Sequence, residues 1–224
     1  TSAAALAAAT APASSAANGT GRSRLVIAVL ALPPGGGKSS LYAALARGGA
    51  AVVSSDEERA KRHGNFDSIL GQLLQRNEVV CYDKNIPDAT GLSKLVRVLS
   101  GFERSLLVRI HVLFVVPATL QHDVAWARVR ARPREDNALN IHTIDGGERA
   151  AYRVFNSIFF RPSLAYLPAA QALPGAVVSD AFWQGTDTAA ALASQILSQR
   201  AAGEELGCSL EVLAASDGGT GFIL

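Results

Sequence analysis

Three glycines, a lysine and a serine stand in a row in the stretch LPPGGGKSS, residues 32–40. Backbone N–H groups can turn inward together where no Cβ intervenes, and they then donate to phosphate oxygens. A lysine after such a loop reaches the β and γ oxygens of a bound polyphosphate, and the next hydroxyl binds Mg²⁺. Gly37, Lys38 and Ser39 fill the core of the pattern G-x-x-x-x-G-K-[ST]. Leu32 stands where that pattern has its first glycine. Pro33 and Pro34, each with a fixed φ, are expected to impose the tight turn in its place, and Gly35 and Gly36 to supply the close backbone approach. The candidate nucleotide-binding set is Gly35, Gly36, Gly37, Lys38, Ser39 and Ser40, with Lys38 as a catalytic cation and Ser39 as a metal ligand.

Three further clusters carry chemistry. In SSDEER, Asp56 and Arg59 lie three apart and face the same way on a helical turn. A carboxylate beside an acceptor hydroxyl can take its proton, and a neighbouring Arg can hold an anionic group on the acceptor. The same residues also suit a solvated helix start. In YDKNIPD, Asp83 is an acid at a strand end, a place that helps hold Mg²⁺, and Asn85 is a candidate substrate contact; Asn and Pro are equally turn formers. In WARVRARPR, Arg128, Arg130, Arg132 and Arg134 fall within seven residues. If helical, Arg128 and Arg132 share a face and can close over donor phosphates as a lid. A basic face in water and a contact to RNA phosphates are the other two uses of such a cluster.

These side chains need a scaffold that brings them to one edge. Apolar runs alternate with amphipathic stretches: strands at 24–32, 50–56, 78–85, 109–117 and 175–182, with helical patterns between them and a closing helix over TAAALASQILSQR. Continuously apolar strands alternating with helices predict a parallel sheet covered on both faces. In such a sheet ligands sit at the carboxyl ends of the strands, where Lys38, Asp56 and Asp83 all fall. The expected fold is therefore a three-layer α/β P-loop NTPase type, with a mainly parallel five-stranded sheet and an Arg-bearing lid.

The 224 residues are 49% apolar, enough for one domain with a sizeable core. A net charge of +2 neither announces nor excludes a nucleic-acid binder. Cys81 and Cys208 lack metal-ligand spacing, and Cys81 in its apolar run reads as a reduced, buried thiol of an intracellular protein. No apolar run is long enough to span a bilayer. Residues 1–22, rich in Ala and Ser and without a basic start, read as a linker rather than a signal peptide, and residues 23–224 as the kinase-like domain. A start of that kind, without an initiator Met, is expected of a domain cut from a longer chain.

LPPGGGKSS, SSD at 54–56, DKNIPD at 83–88 and RARPREDNALNIHTID at 130–145, in that order, resemble the kinase domain of plant- and fungal-type tRNA ligases, a branch of the P-loop polynucleotide 5′-kinases. The likeness runs from about Leu25 to Phe182, and the DKNxP element is its most specific part. The resemblance implies transfer of an NTP γ-phosphate to the 5′-OH of an RNA exon end, the healing step of tRNA splicing. It makes Asp56 the general base and places Arg59 on the phosphate 3′ of the acceptor nucleoside. Lys38, Ser39 and Asp83 attend to the donor phosphates and Mg²⁺, and Arg128 or Arg132 closes from the lid. It leans to GTP over ATP, implies ligase and phosphodiesterase domains in the parent chain, and points to nucleus or cytoplasm. A small-molecule kinase of the same fold shares the loop, base and lid. A nucleotide-binding module that no longer transfers phosphate is the reading from a different class.

Overall fold

The computed structural model describes residues 23–56, 66–133 and 139–217, of which 214–217 are described by their backbone alone. The expected linker at 1–22 and Arg59 lie outside the described residues. Strand β1 (Ser23–Val29) runs through the middle of the sheet, and from Arg24 onward it is buried. It pairs in parallel with β3 (Val79–Asp83) on one side and β4 (Arg109–Pro117) on the other, with Ile27 opposite both Cys81 and Leu113. β2 (Ala51–Ser54) pairs with β3, and β5 (Val177–Ser179) with β4, both parallel, so the order is β2-β3-β1-β4-β5.

Successive residues of a strand point to opposite faces, and the two halves of the core follow that alternation. Leu25, Ile27 and Val29 face α1 (Lys38–Arg47) and α7 (Thr186–Ala201), where Leu41, Leu45, Leu192 and Ile196 pack on them. Val26, Ala28 and Leu30 face the other layer. There α2 (Phe66–Arg76), α3 (Ala89–Leu106) and α8 (Leu210–Asp217) contribute Leu70, Leu74, Leu95, Leu99 and Leu213. Because β1 is covered on both faces, its sequence is apolar without alternation from Leu25 to Val29. Each fully buried Leu, Ile or Val there contributes roughly 1.5–3 kcal/mol. The three-layer α/β arrangement is the one expected.

Beyond β4 the chain forms α4 (His122–Arg130), then a long rod built of α5 (Gly147–Val154), a π-helical segment (Phe155–Phe160) and α6 (Arg161–Gln171). His122 and Trp126 of α4 meet Tyr152, Phe155 and Phe160 of the rod, with Trp126 and Tyr152 ring centroids 5.0 Å apart. The fifth strand is shorter than the apolar run that predicts it. A two-residue strand β6 (Cys208–Ser209) adds an antiparallel pairing to β4, so α7 does not close the fold. Two residues carry no periodicity from which to read a strand. Cys81 and Cys208 are both buried free thiols. Among the described residues, no helix is long and apolar enough to cross a membrane.

Candidate functional site

The loop between β1 and α1 owes its shape to a proline and a glycine. Gly36 N–H donates to the Pro33 carbonyl at 3.0 Å, closing a turn with Pro34 and Gly35 in its centre. Gly35 has φ +81°, so the turn is type II, which takes proline at its second residue and requires positive φ at its third. A Cβ at Gly35 would run into the Ala125 carbonyl of α4. At Gly36 a Cβ would fall 2.5 Å from the Leu32 side chain. Leu32 is only 3% exposed and packs into the core beneath the turn. The residue that breaks the glycine pattern is thus a floor for the loop, and Gly36 is the residue that makes room for it.

Upstream, the chain leaving β1 is tied on both sides. Leu30 N–H donates to the Val115 carbonyl of β4, and Ala31 N–H to the Ile86 carbonyl beyond β3, at 3.1 and 3.0 Å. Ala31 takes a left-handed φ of 50°, a conformation that costs an L-residue roughly 1–2 kcal/mol. Below the loop, the buried Tyr42 hydroxyl of α1 accepts from Val29 N–H at 3.1 Å and donates to the Tyr82 carbonyl at 2.9 Å. A side chain here replaces a ladder bond between β1 and β3. Register between these strands ends at Ala28 and Tyr82, immediately before the polar residues begin.

Those polar residues converge. Lys38 Nζ lies 2.8 Å from Asp83 Oδ1 and donates to Asn85 Oδ1 at 3.1 Å, with both charged side chains mostly shielded. Ser54 pairs in register with Asp83, and Asp56 follows two residues on, half-buried in a helical turn that begins at Ser55. The SSD and DKN strand ends therefore open at one carboxyl edge, side by side. Ser39 is exposed in the first turn of α1, and Ser40 N–H donates to the Gly37 carbonyl at 3.1 Å. Burial first, and the Asp83 charge second, push the Cys81 thiol up to about 12, so it stays protonated beneath this cluster. The Tyr42 phenol is raised mainly by burial and is likewise neutral.

The arginines separate. Arg128 stands at the loop: Nη1 donates to the Gly35 carbonyl at 3.3 Å and to the Phe182 carbonyl at 3.0 Å, and its guanidinium lies 6.0 Å from the Trp183 ring centroid. Arg130 pairs with Glu148 at 2.8 Å, away from the loop. Arg132 donates to the Leu139 carbonyl at 2.8 Å, inside its own segment. Arg134 lies outside the described residues.

The pattern reading passes over Tyr42 and the Phe182–Trp183 pair, and takes Leu32 only as a missing glycine. The signal for Tyr42 was a lone hydroxyl among Leu and Ala on the buried face of α1. Trp183 lies just after the short fifth strand, where its indole N–H donates to the Thr119 carbonyl at 2.8 Å and fixes the far wall of the loop.

No protein-family model matches the chain. No curated protein matches it either. Among solved structures, the crystal structure of a fungal RNA kinase aligns with it at a TM-score of 0.43 and 10% identity, over 75% of this chain and 74% of that chain.

Proposed function

We propose that this chain is a polynucleotide 5′-hydroxyl kinase acting on RNA. The observation that carries the reading is the convergence of Lys38, Asp83 and Asn85 under a turned glycine loop, with Asp56 two residues past Ser54, the strand partner of Asp83. A cation over backbone N–H groups is a place for the donor's β and γ phosphates. Transfer forms a bond from the acceptor's 5′ oxygen to the γ phosphorus and breaks the bond from γ phosphorus to the β–γ bridging oxygen. The hydroxyl proton passes to the Asp56 carboxylate, and the nucleoside diphosphate departs. Lys38 balances the charge that grows on the bridging and γ oxygens.

Ser39 and Asp83 offer hard oxygen donors, which suit Mg²⁺, an ion ordinarily held by one or two protein oxygens together with substrate phosphates. When bound, the ion neutralises donor phosphate charge. Lys38 would then pass from Asp83 to the phosphates, leaving that carboxylate for the cation. Arg128 is the lid arginine nearest the loop and a second charge for the transferring group; Arg132 joins it when the segment closes. Arg59 holds the phosphate on the 3′ side of the acceptor nucleoside. The biological setting consistent with this chemistry is repair of an RNA end before sealing, within a parent chain that supplies ligase and phosphodiesterase domains, and with GTP as the favoured donor.

The test is transfer from γ-labelled ATP and GTP to three acceptors: a 5′-OH RNA oligomer, a 5′-OH nucleoside 3′-phosphate and a bare nucleoside. Preference for the oligomer supports the reading. Preference for the bare nucleoside makes the chain a small-molecule kinase, and no transfer to any of them makes it a nucleotide-binding module.

A further inference from the structure

The rod from Gly147 to Gln171 carries an unbalanced charge. Residues 149–179 contain Arg149, Arg153 and Arg161 and no Asp or Glu, in a chain whose charges otherwise nearly cancel. All three arginines are exposed, and none is in an ion pair among the described residues. The carboxylate nearest the start of the row, Glu148, is engaged by Arg130.

The three also fall in line. Four residues overrun a 3.6-residue α turn by about 40°, so a row at spacings of four drifts around a straight α-helix. Between Arg153 and Arg161 the helix is π-helical from Phe155 to Phe160. A π turn, closed by i→i+5 bonds, advances less per residue and holds that drift back. The result is a ridge of Arg149, Arg153, Ser157 and Arg161, flanked by the exposed Tyr152 and Ile158.

The ridge is placed beside the candidate site. Tyr152 packs on Trp126 of α4, the helix whose Arg128 holds the glycine loop. Further along, Tyr166 is buried in the same core cluster as Ile86 of the DKNIP segment. Gln171 then donates to the Pro117 and Ala118 carbonyls at the carboxyl end of β4. The rod thus lies along the same edge of the sheet as Lys38 and Asp83, with its basic side outward.

We infer that this ridge is the track for the phosphodiester backbone of a single-stranded acceptor whose 5′ end is in the candidate site. Three unpaired guanidinium groups in a row, with an aromatic ring beside them, are complementary to a strand of phosphates and bases. The inference rests on the kinase reading for the location of the 5′ end, but its own content is a binding surface.

The test is the salt dependence of binding of a 5′-OH 12-mer single-stranded RNA, followed by fluorescence anisotropy. It compares the full chain, R149A/R153A/R161A and R149K/R153K/R161K. Each phosphate contact on a single strand adds about 0.7 to the slope of log affinity against log salt, so the alanine variant should lose about 2 from that slope. From 50 to 200 mM salt the wild type should weaken about 20-fold more than the alanine variant. The lysine variant should keep the wild-type slope, and KM for a nucleoside 3′-phosphate should be unchanged in all three. An alanine variant with the wild-type slope overturns the ridge while leaving kinase activity to stand. Loss of slope in a chain that transfers no phosphate supports the ridge and removes the kinase reading.

Discussion

Tyr42→Phe removes one oxygen atom and keeps the ring that fills the core. The Tyr42 side chain is 2% exposed, so no water replaces the hydroxyl. Two backbone groups lose their partner at once: Val29 N–H, at 3.1 Å, and the Tyr82 carbonyl, at 2.9 Å. A buried polar group left unpaired costs about 1–3 kcal/mol, so the pair amounts to about 2–6 kcal/mol. For a chain of this size each kcal/mol lowers Tm by about 2–4 °C, which makes even the lower bound a fall of about 4–8 °C. Thermal unfolding followed by circular dichroism measures it. Urea unfolding should show a lower midpoint with unchanged slope, the sign of lost stability rather than of a changed unfolded state. Strands β1 and β3 end at this hydroxyl and carry the loop and Asp83, so nucleotide affinity should fall as well. A Tm shift under about 2 °C would refute the claim that this hydroxyl replaces a ladder bond between the two strands.

Gly35→Ala forces a side chain into the Ala125 carbonyl at φ +81°; nucleotide affinity, read by titration of a fluorescent analogue, should fall at least about tenfold, equivalent to 1.4 kcal/mol. Arg128→Ala frees the Gly35 and Phe182 carbonyls, and the KM for the donor nucleotide should rise about tenfold in steady-state transfer, given roughly 1.5–3 kcal/mol per charged hydrogen bond partly recovered by water. His111 gives a pH prediction. Burial holds its imidazole below the ordinary 6.5; Arg200 and Arg109 act in the same direction, and Glu205 and Glu103 oppose them. The unfolded chain takes up the proton first, so this contribution to stability is complete above the unfolded value and is lost as pH falls through the folded one. Unfolding free energy should drop between about pH 7 and pH 5, and His111→Asn should flatten that dependence.

The parts of this molecule that were legible from sequence are those where one residue type answers to one physical demand. β1 and β4 read as strands because a central parallel strand must be apolar on both faces, and Val26 with Ile27, and Leu113 with Phe114, meet that demand face by face. The SSD and DKN strand ends were readable as lying at one carboxyl edge because parallel strands share one, but not as neighbours, since strand order leaves no trace in the apolar pattern. Leu32 was legible only as a departure, since its use depends on Gly36 packing against it across the turn. The arginine cluster was legible as a cluster but not in its roles. A helix distributes residues 128 and 130 to different sides, and Arg132 lies past its end, so the first braces the loop, the second meets Glu148 and the third folds back on Leu139. β6 was invisible because its two residues are recruited by the edge of β4 and not by any pattern of their own.

The central claim is that Lys38 and Asp56 serve one transfer reaction from opposite sides of the γ-phosphate. Its most direct test is single-turnover transfer from γ-labelled GTP or ATP to a 5′-OH RNA oligomer, with nucleotide binding measured on the same preparations. Wild type should phosphorylate the oligomer. Lys38→Ala should abolish transfer, because the growing charge on the β and γ oxygens loses its counter-charge. Asp56→Asn should bind nucleotide as wild type does and transfer about two to four orders of magnitude more slowly, because the amide keeps the shape but takes no proton. Normal turnover by Asp56→Asn, or by Lys38→Ala, would contradict the account.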